Sequence, residues 1–129
     1  MKTCPICSGG LERTEKETTL TYKGKNLTFL QPGEYCLQCH EGFLSPADMK
    51  ATKKEIVDFK REVDGYLKTS QIKKIRKKLH LTQKAAAQIF GGGERSFYKY
   101  ETGEVTQNKP LDLLLRLFDK EKISLSDLK

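Results

Sequence analysis

The stretch "FGGGERSFYKYETGE", residues 90–104, decides how the second half of the chain folds. Three consecutive glycines, Gly91 to Gly93, suit either a loop that cradles a phosphate or a flexible corner between two helices. A Walker-type loop requires Gly-x-x-x-x-Gly-Lys-Ser/Thr after a buried strand. Here "LTQKAAAQIF", residues 81–90, reads as a helix with Thr82 as its N-cap, and no lysine–hydroxyl pair follows the glycines. The two-helix corner has its demands met. Counting from Gln83, a small residue stands fifth (Ala87), an apolar one eighth (Phe90), glycine ninth (Gly91), and aromatics fifteenth and eighteenth (Phe97, Tyr100). The small residue lets the helices touch and the glycine permits a tight turn. Gly92 takes the tenth place, where an apolar residue usually packs, which predicts a looser turn.

The segment is therefore read as a helix-turn-helix. At about 100° per residue, Phe97 and Tyr100 mark the buried side of the second helix. Arg95 and Lys99 lie opposite, with Tyr98 beside them and Ser96 and Glu94 at the edge. An arginine early on such a helix reaches guanine O6 and N7 in the major groove, so Arg95 and Lys99 are the candidate base readers. Thr82, Gln83 and Lys84 sit where a helix N-terminus meets the phosphate backbone. Ser96 and Tyr98 are candidate edge contacts, and Lys77 and Lys78 add sequence-blind attraction. The plain alternative is that Arg95 and Lys99 merely solubilise a surface.

The charge distribution favours the first reading. The 129 residues carry a net charge of +7, and residues 71–109 hold 9 basic against 3 acidic side chains. The other windows are nearly balanced. A concentrated basic patch is the electrostatic footprint of a nucleic-acid binder.

All four cysteines fall in the first 39 residues, as Cys4-Pro5-Ile6-Cys7 and Cys36-Leu37-Gln38-Cys39. Two Cys-x-x-Cys knuckles offer the four thiolates of a tetrahedral zinc site, and a full set of protein ligands makes the metal structural. A redox pair needs a parallel α/β context, two disulfides need an oxidising compartment, and iron is the rubredoxin-like alternative. His40 is read as a bystander. Between the knuckles, Leu20, Tyr22, Leu27 and Phe29 alternate with polar residues around a "KGKN" turn, and Pro32 and Gly33 are expected to close the second strand. So small a hairpin draws its folding energy from the metal.

A connecting helix follows, with Ser45 as N-cap and Pro46 at its first position. Met49, Ile56, Phe59, Val63 and Tyr66 form an apolar stripe expected to pack on the finger. The predicted class is α+β: a zinc-bound β-hairpin domain with a connecting helix over 1–67, and an all-α domain of about five helices over 68–129. In the second, Asn108 caps a leucine-rich helix. Leu111, Leu114, Leu115 and Phe118 are candidates for a dimer seam, or else fill the core. The N-terminus lacks the apolar core of a secretory signal, so the expected location is the cytoplasm. With two histidines and no evident nucleophile–base pair, no enzyme is expected.

The basic half resembles the Xre/Cro-type helix-turn-helix family in "LTQ", the glycine corner and "YETGE". With "GEYCLQC" and "IRKKLHLTQKAAAQIFGGG" added, the whole chain resembles MqsA-type antitoxins, the YgiT-type zinc-finger group. The resemblance implies a zinc-stabilised N-terminal domain that neutralises a small mRNA-cleaving, MqsR-like ribonuclease toxin. It also implies a C-terminal domain that forms a homodimer and represses its own operon on palindromic double-stranded operator DNA. Cys4, Cys7, Cys36 and Cys39 would be the Zn2+ ligands, and the base-reading pair falls on Arg95 and Lys99. The family pattern has Asn and Arg at those two places, so the resemblance carries over the groove-reading role but not the operator sequence. The competing reading is a stand-alone zinc-containing transcriptional regulator that senses metal or redox state.

Overall fold

The structure is a computed structural model and describes residues 2–128. The chain divides into two compact units, Met1–Ile56 and Val57–Lys129.

The first unit is built on one long hairpin. Strands β1 (Leu11–Tyr22) and β2 (Lys25–Cys36) pair antiparallel from Leu11↔Cys36 to Tyr22↔Lys25, and a two-residue strand β3 (Gly42–Phe43) adds to β2. Lys23 and Gly24 both take positive φ, 50° and 79°. That is the backbone of a two-residue turn whose twist matches the strands. Pro32 and Gly33 do not close β2; both lie inside it, opposite Glu15 and Thr14. A Cβ at Gly33 would approach Leu44 Cδ2 to 2.5 Å and Phe43 O to 3.3 Å, so Leu44 would have to move to admit one. The buried apolar set of this unit is only Cys4, Phe29 and Cys36 among the described residues.

Helix α1 (Pro46–Asp64) starts in the first unit and ends in the second. Ser45 caps it as expected: Asp48 N donates to Ser45 Oγ at 3.1 Å, and Ser45 N donates to Asp48 Oδ2 at 3.0 Å. Met49, the first residue of the expected apolar stripe, is not what seats it on the hairpin. Met49 is 58% exposed, whereas Asp48 and Thr52 are buried. Asp48 accepts from both terminal guanidinium nitrogens of Arg13, and Thr52 Oγ1 donates to Gln31 Oε1 at 2.9 Å. Gln31 Nε2 donates onward to Asp48 O at 2.9 Å. Polar groups win here because every one finds a partner, which removes the cost of burying it.

The second unit contains α2 (Thr69–Lys78), α3 (Gln83–Phe90), α4 (Ser96–Thr102), α5 (Lys109–Asp119) and a short 3-10 turn (Leu125–Leu128). Its core gathers Leu67, Ile72, Ile75, Ala86, Ala87, Phe97, Tyr100, Leu115 and Phe118. Phe90 bridges α4 and α5, its ring centroid 5.7 Å from Phe97 and 5.6 Å from Phe118. Each fully buried side chain such as Ile72 or Leu115 contributes about 1.5–3 kcal/mol. The units divide inside α1, earlier than the boundary at residue 67 read from the sequence. The reason is that the end of α1 is bonded into the second unit. Arg61 is 1% exposed and donates to Tyr100 O (3.0 Å) and Val105 O (2.8 Å), and Asp58 accepts from Thr69 N (2.8 Å).

No helix among the described residues is long and apolar enough to cross a membrane.

Candidate metal centre and nucleic-acid interface

The hairpin brings the two cysteine knuckles together. One precedes β1 and the other begins at the last residue of β2, so pairing of Leu11 with Cys36 sets them side by side. The four sulfurs of Cys4, Cys7, Cys36 and Cys39 all lie within 4.8 Å of one another, and none is in a disulfide. Cys4 Sγ is 3.7 Å from Cys39 Sγ, and Cys7 Sγ is 3.3 Å from Cys36 Sγ. Bonds of about 2.3 Å to a tetrahedral zinc put sulfurs roughly 3.8 Å apart, so the donor set fits such an ion. Backbone N–H groups of Ile6, Gln38 and Cys39 point at Cys4 or Cys36 Sγ at 3.4 Å, which orients the sulfurs.

Four thiolates cannot crowd together without a cation. The N–H of Cys39, with that of Gln38, lowers the Cys36 thiol to about 6. At Cys39 the N–H of Glu41 pulls the same way, but burial and the sulfurs of Cys7, Cys36 and Cys4 outweigh it and push the thiol up to about 12. A bound metal would let both be deprotonated at neutral pH. His40 is exposed and stands outside the sulfur cluster. Sequence reasoning missed Gly9, where a Cβ would fall 2.9 Å from Gln38 Cβ and 3.0 Å from Cys36 Sγ.

In the second unit, Thr82 caps α3 by accepting from Ala85 N at 3.1 Å. The corner is made by Gly91, Gly92 and Gly93, with φ of 83°, 94° and 96°. Gly92 is not loosely packed: a Cβ would meet Tyr100 Oη at 3.1 Å and Ser96 Cβ at 3.2 Å. Arg95 is the residue before α4, and Arg95, Tyr98 and Lys99 are exposed while Phe97 and Tyr100 are buried. The Arg95 guanidinium lies over the Tyr98 ring, 4.8 Å from its centroid. Lys84 and Thr82 are also exposed, and Gln83 is half-buried.

Two positions differ from expectation. Ser96 is not at the edge; it is 5% exposed and its hydroxyl donates to Gly91 O at 3.2 Å, tying α4 to the corner. Lys78 is not a free cation, since its Nζ donates to Asp119 O at 2.9 Å and sits 3.8 Å from carboxylates of Asp119 and Glu121. Lys77 stays exposed. Arg76, one of the basic run on α2, is consumed internally by Glu101.

The whole chain, residues 1–129, matches the family described as the antitoxin component of bacterial toxin–antitoxin systems, MqsA. The chain belongs to the MqsA antitoxin family. It is 33% identical to the protein named Antitoxin MqsA of Escherichia coli (strain K12), over 98% of each chain. A solved structure of the N-terminal domain of the E. coli protein MqsA aligns with 50% of this chain and 98% of its own, with a TM-score of 0.44 and 23% identity. Within this antitoxin, the polar anchors Arg13, Asp48, Thr52 and Arg61 escaped the sequence reading. Nothing local distinguishes a buried, paired charge from a solvated one.

Proposed function

We propose that this antitoxin neutralises a small, MqsR-like mRNA-cleaving ribonuclease through its N-terminal, hairpin-bearing unit. In the same reading, the C-terminal helical unit binds palindromic operator DNA as a homodimer and so represses the chain's own operon in the cytoplasm. One structural Zn2+ per chain, held by Cys4, Cys7, Cys36 and Cys39, would supply the hairpin unit with the folding energy its few apolar residues lack. The observation that carries the DNA reading is the outward placement of Arg95 and Lys99 at α4, next to a glycine corner, in the most basic part of the chain. Lys84 and Lys77 are the supporting backbone cations. A dimer would present two α4 helices about 34–36 Å apart.

Burial changes which leucines are candidates for a dimer seam. Leu115 and Phe118 fill the core and Leu111 and Leu114 pack against it, as the plainer expectation had it. Leu113 and Leu117, four apart on α5, are 51% and 42% exposed and take their place as seam candidates.

The deciding experiment measures binding of the full chain to the duplex upstream of its own reading frame. Arg95→Glu is expected to abolish sequence-specific binding with bound zinc unchanged. Retention of specific binding by that variant would move the reader elsewhere.

A further inference from the structure

The five arginines of this chain divide sharply by what their guanidinium groups touch. Arg13 is bonded to Asp48, Arg61 to backbone carbonyls of Tyr100 and Val105, Arg76 to Glu101, and Arg116 to Asp112 and Gly65 O. Arg95 alone has a guanidinium with no hydrogen bond or ion pair among the described residues. Its contact is the face of Tyr98, 4.8 Å away. Tyr98 is 38% exposed, flanked by Phe97 and Lys99, and is absent from the core to which Phe97 and Tyr100 belong. An exposed aromatic that packs no core is here engaged with the one uncommitted arginine.

We propose that Tyr98 is a positioning residue that holds Arg95 ready for a guanine, so that each operator half-site carries a guanine opposite Arg95. This rests on the operator-binding reading above. Stacking occupies a face of the guanidinium and leaves its N–H edges free. Those edges form a rigid two-pronged donor, matched by the O6 and N7 acceptors of guanine in the major groove. Adenine offers a donor where guanine offers O6, so the fork rejects it. Lys99 brings a compact ammonium without that fork, which places base discrimination on Arg95. Restraining the side chain before DNA arrives lowers the entropy lost on binding.

The test selects binding sites for the full-length, zinc-loaded chain from randomised duplexes. Each guanine of the selected half-site is then replaced by 7-deazaguanine, which lacks the N7 acceptor. For the wild type, one such replacement per half-site is expected to weaken binding about 10-fold. Tyr98→Phe, which keeps the ring, should show the same penalty. Tyr98→Ala should show little penalty while keeping the wild-type melting temperature and salt dependence, which a merely structural tyrosine would not do. A full 7-deaza penalty in Tyr98→Ala overturns the positioning role. A selected site in which no guanine responds overturns the inference while leaving operator binding intact. Failure of the wild type to select any sequence removes both.

Discussion

Arg76 on α2 and Glu101 on α4 form a two-pronged ion pair, with Nε–Oε2 at 2.8 Å and Nη2–Oε1 at 3.0 Å, and Arg76 Nη1 donates further to Leu81 O at 2.8 Å. The side chains are only 10% and 4% exposed. One member of the basic run thus pins α4 from behind while Arg95 and Lys99 face outward. Removing one partner of a buried pair strands the other charge, which costs about 3–5 kcal/mol. Glu101→Ala is therefore expected to lower the unfolding free energy of the second unit by that amount in urea titrations. A change below about 1 kcal/mol would show that the pair does not hold the helix.

Acid should weaken the hairpin unit through Asp48. Hydrogen bonding to Arg13, together with the Ser45 backbone, holds its carboxyl well below the ordinary carboxylate range. A carboxyl whose folded pKa is depressed stabilises the fold above its unfolded value of about 3.9 and loses that contribution as pH falls below it. Between about pH 5 and 2 the wild type should lose stability faster than Asp48→Asn. Parallel acid titrations of the two, followed by circular dichroism, measure the difference. Equal slopes would remove Asp48 from the account.

The glycine corner makes a paired prediction. Gly92 and Gly93 share positive φ, but only Gly92 has close neighbours where a Cβ would go. Backbone strain costs each alanine variant on the order of 1 kcal/mol. Gly92→Ala should lose roughly 1 kcal/mol more, because Tyr100 and Ser96 must shift. Thermal melts of the two variants decide it, and equal losses would mean the crowding at Gly92 is easily relieved.

Cation placement separates two lysines of the basic window. Each phosphate neutralised contributes about −0.9 to the log–log salt slope of DNA binding. Lys84→Ala should make that slope shallower by about 0.9, the share of a single phosphate. Lys78→Ala should leave it unchanged, since Asp119 and Glu121 already hold that ammonium. Affinity measured across a salt series checks both, and a shallower slope in Lys78→Ala would contradict its assignment.

Metal removal should act on one unit. Chelation, or Cys36→Ser, is expected to unfold the hairpin and leave the melting transition of residues 57–129 nearly unchanged. Metal content by elemental analysis should be one zinc per chain for the wild type. A single shared melt would show that the helical unit depends on the metal.

Much of this architecture was legible because local chemistry specified it. The Cys-x-x-Cys pairs foretold the sulfur cluster, Thr82 and Asn108 cap helices as read, and the glycines with Phe97 and Tyr100 marked the corner and its buried side. What escaped was decided by distant partners. Asp48 stands in the first turn of α1, where an acid is ordinary, yet its partner Arg13 lies on β1. Arg76 and Lys78 were indistinguishable from Lys77 in a basic run until Glu101 and Asp119 came beside them. Pro32 carried the mark of a strand end, but the ladder continues past it to Cys36.

The twelve-rung register between β1 and β2 has an evolutionary corollary. Successive residues of a strand face opposite ways, so a single insertion in one strand would turn Cys36 away from Cys4 and Cys7. Length changes that keep the four sulfurs together would come as matched additions on both arms, at the Lys23–Gly24 tip, or as an insertion taken up by a bulge.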